Sequence, residues 1–193
     1  MIAFVKGNFV NKQPARVVVD VNGVGYDLQI SLNTYSAINN KESGMLYTYL
    51  QITENAQTLF GFHEMAEKEM FMQLISVSGV GAATARMMLS GMRPQEIVKA
   101  LVEGNTSVLE GVKGIGRKTA ERLIVELKDK AGKINTDGAV SQTGAASINN
   151  DALTALISLG IAKPAAEQSL KKAFAFNKDF TLEEVIKYAL KNI

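Results

Sequence analysis

Two copies of one glycine-bounded turn lie 35 residues apart in the middle of this chain, and they limit what the sequence around them can build. The first runs Leu74-Ile-Ser-Val-Ser-Gly79-Val-Gly81-Ala-Ala-Thr-Ala85 and the second Leu109-Glu-Gly-Val-Lys-Gly114-Ile-Gly116-Arg-Lys-Thr-Ala120. In each, a short apolar stretch ends in Gly-apolar-Gly and a helical run opens directly behind it. Glycine turns the backbone where other residues strain, so that neighbouring N–H groups converge, and the positive end of the following helix adds to them. Such a turn holds a phosphate without any catalytic side chain. For one copy alone, a plain connection between two packed helices is an equal reading; repetition on one frame favours phosphate. The predicted phosphate-binding residues are Gly79, Val80 and Gly81 in the first turn and Gly114, Ile115 and Gly116 in the second. Lys113, Arg117 and Lys118 surround the second turn and offer charge-assisted contacts. The first turn has Ala82-Ala83 in the corresponding places, with Arg86 one helical turn along as its nearest cation. Contacts of this kind position a protein on a duplex without reading bases.

Other chemistries find less support. The second copy nearly spells a P-loop, but its lysine stands one residue late and no strand precedes it, so ATP binding is not expected. Cysteine is absent, which excludes disulfides and thiolate zinc sites. His63 is the only histidine, falls where the sequence pattern changes, and reads as a junction residue rather than a ligand. No catalytic site, metal site or cofactor is expected. Net charge is +2, and residues 65–132 carry 10 basic and 8 acidic side chains. That is not the strongly basic footprint of a simple nucleic-acid binder. Contact with DNA would therefore come from local clustering, from backbone amides, or from several subunits pooling one face. The chain opens on an alternating pattern without a charged n-region and apolar h-region, and no apolar run approaches the roughly 18 residues that span a bilayer. A cytoplasmic protein without membrane contact is the expectation.

The hydrophobic period divides the chain. Residues 1–63 read as strands: one beginning at Ile2–Lys6, one over Arg16–Val21, an Asn22-Gly23 hairpin turn, and Val24–Ile30 beyond it. Residues 46–52 and 56–60 form a second hairpin around Glu54-Asn55, and the set predicts a small OB-type barrel. Tyr47 and Tyr49 share a strand face and read as barrel packing before base stacking. Residues 64–131 turn helical, with Met65, Met70, Phe71, Leu74 and Ile75 on one face. Residues 132–148 are small and polar and predict a flexible linker. Residues 149–193 predict three short helices: Ala152, Leu153, Leu156 and Leu159 face inward on the first, Lys163-Pro164 starts the second, and Thr181-Leu-Glu-Glu184 caps the third. The expected class is a multidomain α+β protein.

The stretches Val21–Tyr26, Leu59–Phe62, Gly79–Gly81, Leu89–Met92 and Gly114–Glu126 resemble the RuvA family of bacterial Holliday-junction branch-migration subunits, in order and along the whole chain. The resemblance implies an OB-fold domain, a domain of two helix-hairpin-helix motifs, and a tethered three-helix (UBA-like) domain. It implies a homotetramer, or an octamer on DNA, that holds a four-way junction open and square. It also implies recruitment of the hexameric ATPase RuvB by the last domain, through the region of Leu153, Leu156, Leu170, Leu182 and Ile186, and access for the resolvase RuvC. Glu54-Asn55 falls at the family's acidic pin, where two adjacent acids are common, so this pin is expected to be less repulsive. Ala83 stands where a lysine is often found. Two other classes remain: a nuclease or glycosylase anchored by its hairpins, and an interaction module whose hairpins never touch DNA.

Overall fold

The computed structural model describes residues 1–131, 144–177 and 180–192, in two units, Met1–Gly138 and Ala139–Ile193. The first unit opens with strands β1 (Phe4–Gln13), β2 (Arg16–Val21) and β3 (Val24–Ile30). Asn22 and Gly23 join the last two with φ of 51° and 88°. Paired positive φ values give the turn a twist that matches its flanking strands, and asparagine and glycine tolerate them. A short helix, α1 (Leu32–Ile38), follows, then the hairpin β4 (Ser43–Thr53) and β5 (Ala56–Phe62). The strands close in the order β1-β2-β3-β5-β4, with β3 and β5 parallel and every other pairing antiparallel. Strand β1 serves both neighbours. Its first half pairs with β4 and its second with β2, Asn8 pairing with both, and a bulge at Val10 interrupts the ladder with β2. Val5, Phe9, Val17, Val19, Leu28, Ile30, Leu46 and Leu59 fill the barrel, and Ile38 of α1 plugs it.

Helix α1 is not visible in the sequence pattern, because seven residues carry too little periodicity to register. Its cap is local: Ser31 Oγ accepts from the Thr34 N–H at 3.0 Å. Its second anchor is distant. Glu67, buried on α2 (Met65–Ile75), accepts hydrogen bonds from the hydroxyls of Ser31 and Thr34. Thr34 Oγ1 also accepts from the His63 N–H at 3.0 Å. Burial raises the Glu67 pKa above its ordinary value, against the hydrogen bonds from Ser31 and Thr34, which lower it.

Helix α2 starts the helical half without leaving the barrel. Phe71 packs against Phe60 and Phe62 at 5.0 Å between ring centroids and against Tyr49 at 5.6 Å. Tyr49 is therefore committed to packing, but against the helical core and not inside the barrel as expected, because Leu46 and Leu50 take the inward face of β4. Helices α3 (Ala82–Gly91), α4 (Pro94–Glu103), α5 (Thr106–Glu110) and α6 (Arg117–Ala131) complete the unit. They bury Met88, Leu89, Ile97, Leu101, Leu109, Leu123 and Leu127 in the core that contains Phe60 and Phe62. This second core, separate from the barrel interior, joins β5 to the helices through Phe60 and Phe62.

The second unit holds α7 (Gly144–Ser158), α8 (Lys163–Phe176) and α9 (Leu182–Lys191). Helix α7 begins inside the stretch expected to be linker. Ala145 and Ala146 are strong helix formers, and Ile148 packs on the unit's core. The rest of that expected linker, residues 132–143, lies outside the described residues. Leu159 does not face inward as predicted; it is 62% exposed. The helix ends there in a Schellman cap, with Gly160 N–H on the Ile157 carbonyl at 2.9 Å and Ile161 N–H on the Leu156 carbonyl at 3.1 Å. Gly160 takes φ 90°, and Ile161 replaces Leu159 against the core. Among the described residues, no helix is long and apolar enough to cross a membrane.

The buried carboxylate makes a prediction about pH. A group whose pKa is higher folded than unfolded holds its proton longer in the native state, so stability falls as pH rises through the interval above its ordinary value of 4.5. Glu67→Gln removes this titration. Denaturant unfolding at pH 5 and pH 8 is expected to show the native chain losing stability relative to the variant at the higher pH.

Candidate nucleic-acid interface

The two glycine turns share one hydrogen-bond scheme. In the first, Val77 N–H reaches the Leu74 carbonyl at 3.2 Å, Val80 N–H the Val77 carbonyl at 3.0 Å, and Ala85 N–H the Gly81 carbonyl at 2.9 Å. In the second, Val112 reaches Leu109 at 3.2 Å, Ile115 reaches Val112 at 3.0 Å, and Ala120 reaches Gly116 at 3.0 Å. Gly79 and Gly114 take φ of 93° and 96°, which non-glycine residues reach only with strain. Gly81 is the N-cap of α3, and Gly116 stands at the corresponding place before α6.

This geometry corrects part of the predicted contact set. Val80 and Ile115 are 4% and 5% exposed, and both amides are spent inside the turn. Their side chains anchor the turns in the core, so neither is placed to touch a phosphate. The donors left over include the amides of Gly81 and Gly116 and those every helix start leaves unpaired, here of Ala82 and Ala83 on α3 and of Arg117 and Lys118 on α6. The approach to them is open, since a Cβ built on Gly81 or Gly116 would meet no atom within 4 Å.

The cations divide unequally. Lys113, Arg117 and Lys118 are exposed around the second turn. Arg117 Nε donates to Glu121 at 3.0 Å in an exposed pair of the weak, salt-screened kind. Arg86 is placed differently from expectation: half-buried, it donates to the Ala15 carbonyl at 3.2 Å between β1 and β2. The cation beside the first turn is Arg122 of α6, which donates to the Ser78 carbonyl at 3.0 Å. Nothing in the spacing of the sequence singles it out, because its partner is 44 residues away. Arg122 both brings charge to the turn that lacks it and ties the two turns together.

Glu54 and Asn55 form the exposed tip of the β4–β5 hairpin, braced by Thr53 Oγ1 donating to the Ala56 carbonyl at 3.1 Å. His63 sits at the junction of barrel and helices. Its Nε2 lies 3.3 Å from Lys41 Nζ, and burial followed by Lys41 lowers its pKa. In the second unit, Leu156 and Leu170 are core residues, 0% and 2% exposed, which removes them from the expected partner surface. Leu153 and Ile186 pack partly against that core, and Leu182 is 38% exposed. The P-loop reading fails on its context: helix α5, not a strand, precedes the second turn.

Family descriptions match the chain in sequence order: RuvA N terminal domain over residues 1–61, SAM-like helix-hairpin-helix tandem over 71–129, and RuvA C-terminal domain over 147–193. Similar proteins named Holliday junction branch migration complex subunit RuvA occur in Cytophaga hutchinsonii, 45% identical over 99% of each chain, and in Christiangramia forsetii, 42% identical over 100% of each. The protein of that name from Flavobacterium psychrophilum is 44% identical over 100% of both chains.

The left-handed glycines are expected to be costly to replace. Gly114→Ala is expected to lose about 1–2 kcal/mol of stability, the strain of a β-carbon at positive φ, and Gly114→Asn clearly less, because asparagine tolerates that region. Urea unfolding of the two variants beside the native chain measures both.

Proposed function

This chain belongs to the RuvA family, and on that footing we propose that it binds four-way Holliday junctions as the DNA-holding subunit of a branch-migration complex. It works as a tetramer in the cytoplasm, and its chemistry is electrostatic and geometric. The first-turn amides of α3 and α6 approach phosphates on each arm, and Lys113, Arg117, Lys118 and Arg122 add charge. Glu54, with Asn55 beside it, stands at the junction centre and disfavours reannealing by repelling phosphate; with one carboxylate where two are common, it does so weakly. ATP hydrolysis belongs to a partner, the motor RuvB, recruited by the C-terminal unit through its exposed side chains, Leu182 among them. RuvC is a further partner on the same junction.

The observation that supports this reading is the identity of the two turns. Two helix starts with the same φ, the same internal bonds and open approaches, tied to each other through Arg122, suit one backbone held at two points. The tie makes them act together.

Arg117→Ala combined with Lys118→Ala is expected to weaken junction binding about tenfold or more, and to flatten the plot of log affinity against log salt by about 0.9 for each phosphate no longer neutralised. Titrations of a labelled junction at several salt concentrations read both quantities; an unchanged slope argues against phosphate contact at these residues. Removal of residues 149–193 is expected to leave junction affinity intact and to abolish stimulation of the motor's ATPase. Full stimulation by the shortened chain would put the motor contact elsewhere.

A further inference from the structure

Helix α3 leads away from the first turn, and its far end is fastened to α1 by an exchange of caps. The last carbonyls of a helix and its first N–H groups have no partners within it. Asn33, on the first turn of α1, donates its side-chain amide to the carbonyls of Leu89 at 2.6 Å and Met92 at 3.0 Å, at the C-terminal end of α3. In return, Ser90 Oγ of α3 accepts from the Leu32 N–H, at the first residue of α1, at 3.1 Å, while donating to the Arg86 carbonyl at 2.8 Å. Each helix thus satisfies the other's orphan groups. Arg86 adds a third fastening, from the middle of α3 to the Ala15 carbonyl. Farther along the same border, Thr34 and Glu67 join α1 to α2.

We propose that Asn33 and Ser90 are positioning residues for junction recognition: by capping α1 and α3 reciprocally, they set the angle between the amides at the N-terminus of α3 and the Glu54 tip of the barrel. A linear duplex asks only that phosphate meet the turns. A four-way junction asks that the arm and the strand crossing at the centre be met at once, so it alone depends on this angle. The inference deepens the function proposed above and rests on it. It also explains why Arg86 is turned to the barrel, for a cation used as a strut holds the grip instead of adding to it.

The test compares a four-way junction with a linear duplex of the same arm sequence, using full-length native chain, Asn33→Ala, Asn33→Asp and Ser90→Ala. Preference of the native chain for the junction establishes the reading on which the inference rests; no preference sinks that reading independently of any variant. Given that preference, Asn33→Ala is expected to lower junction affinity about tenfold, the equivalent of two neutral hydrogen bonds, and to change duplex affinity less than about twofold. Asn33→Asp keeps the shape but replaces the donor with an acceptor facing carbonyls, and is expected to do no better than alanine. Ser90→Ala, which removes the bond from Leu32 together with the hydroxyl's own bond to the Arg86 carbonyl and leaves the core intact, is expected to shift the same ratio in the same direction, and to do so less than additively with Asn33→Ala. Equal losses on junction and duplex, or no loss on either, would overturn the proposal. Should Asn33→Ala fail to melt cooperatively, Ser90→Ala alone decides between these outcomes.

Discussion

Burial of Val80 and Ile115 is the constraint from which the rest of the interface follows. Each side chain must enter the helical core, 4% and 5% exposed, and the chain must then reverse at once. A left-handed glycine on one side and a helix N-cap on the other accomplish that reversal. The apolar residue goes inward, so the polar groups at its flanks are driven outward, and among them are the amides no helix start can satisfy internally. On the proposed reading, attraction for phosphate is a by-product of how the turn is anchored. That is why the same backbone serves twice with different flanking side chains, Ala82-Ala83 in one case and Arg117-Lys118 in the other.

The two grips differ in electrostatics and are reconciled by tertiary contacts. Arg122 reaches from the second hairpin to the Ser78 carbonyl and brings to the first turn a charge its own sequence lacks. Arg86, nearest to that turn along the chain, is held instead by the barrel. Modest net charge is compatible with the proposed DNA-holding role: exposed cations cluster at the second turn, and the helix-start amides beside them carry no charge. The acidic tip at Glu54 belongs to the barrel. Its relation to the grips runs through the border where Asn33, Ser90 and Glu67 exchange bonds and Phe71 shares the barrel's aromatic side chains.

What can be read from the sequence is local. The Asn22-Gly23 turn, the Pro94 and Pro164 helix starts, the Thr181–Glu184 capping box and the doubled glycine pattern each announce themselves within a few residues, and each is present. Non-local features do not show. Glu67 on an amphipathic helix looks like a solvated face until α1 is seen to lie over it, and α1 itself is too short for a periodic signal. Arg122 and Asn33 act on carbonyls 44 and 56 or more residues away. Val80 and Ile115 read as phosphate contacts in the sequence because adjacency in a motif does not reveal which way a side chain points. Leu156 and Leu170 read as partner surface for a related reason: the residues that best mark a small helical unit are the ones its own core consumes.

The central claim is that two equivalent, mutually braced helix starts hold DNA backbone at a branch point. Equilibrium titration of the native chain against a labelled four-way junction and against a linear duplex of equal arm length, repeated across a series of salt concentrations, tests it most directly. The account predicts clearly tighter binding to the junction, with both affinities falling as salt rises. Equal affinity for the two substrates, or junction binding indifferent to salt, would contradict it.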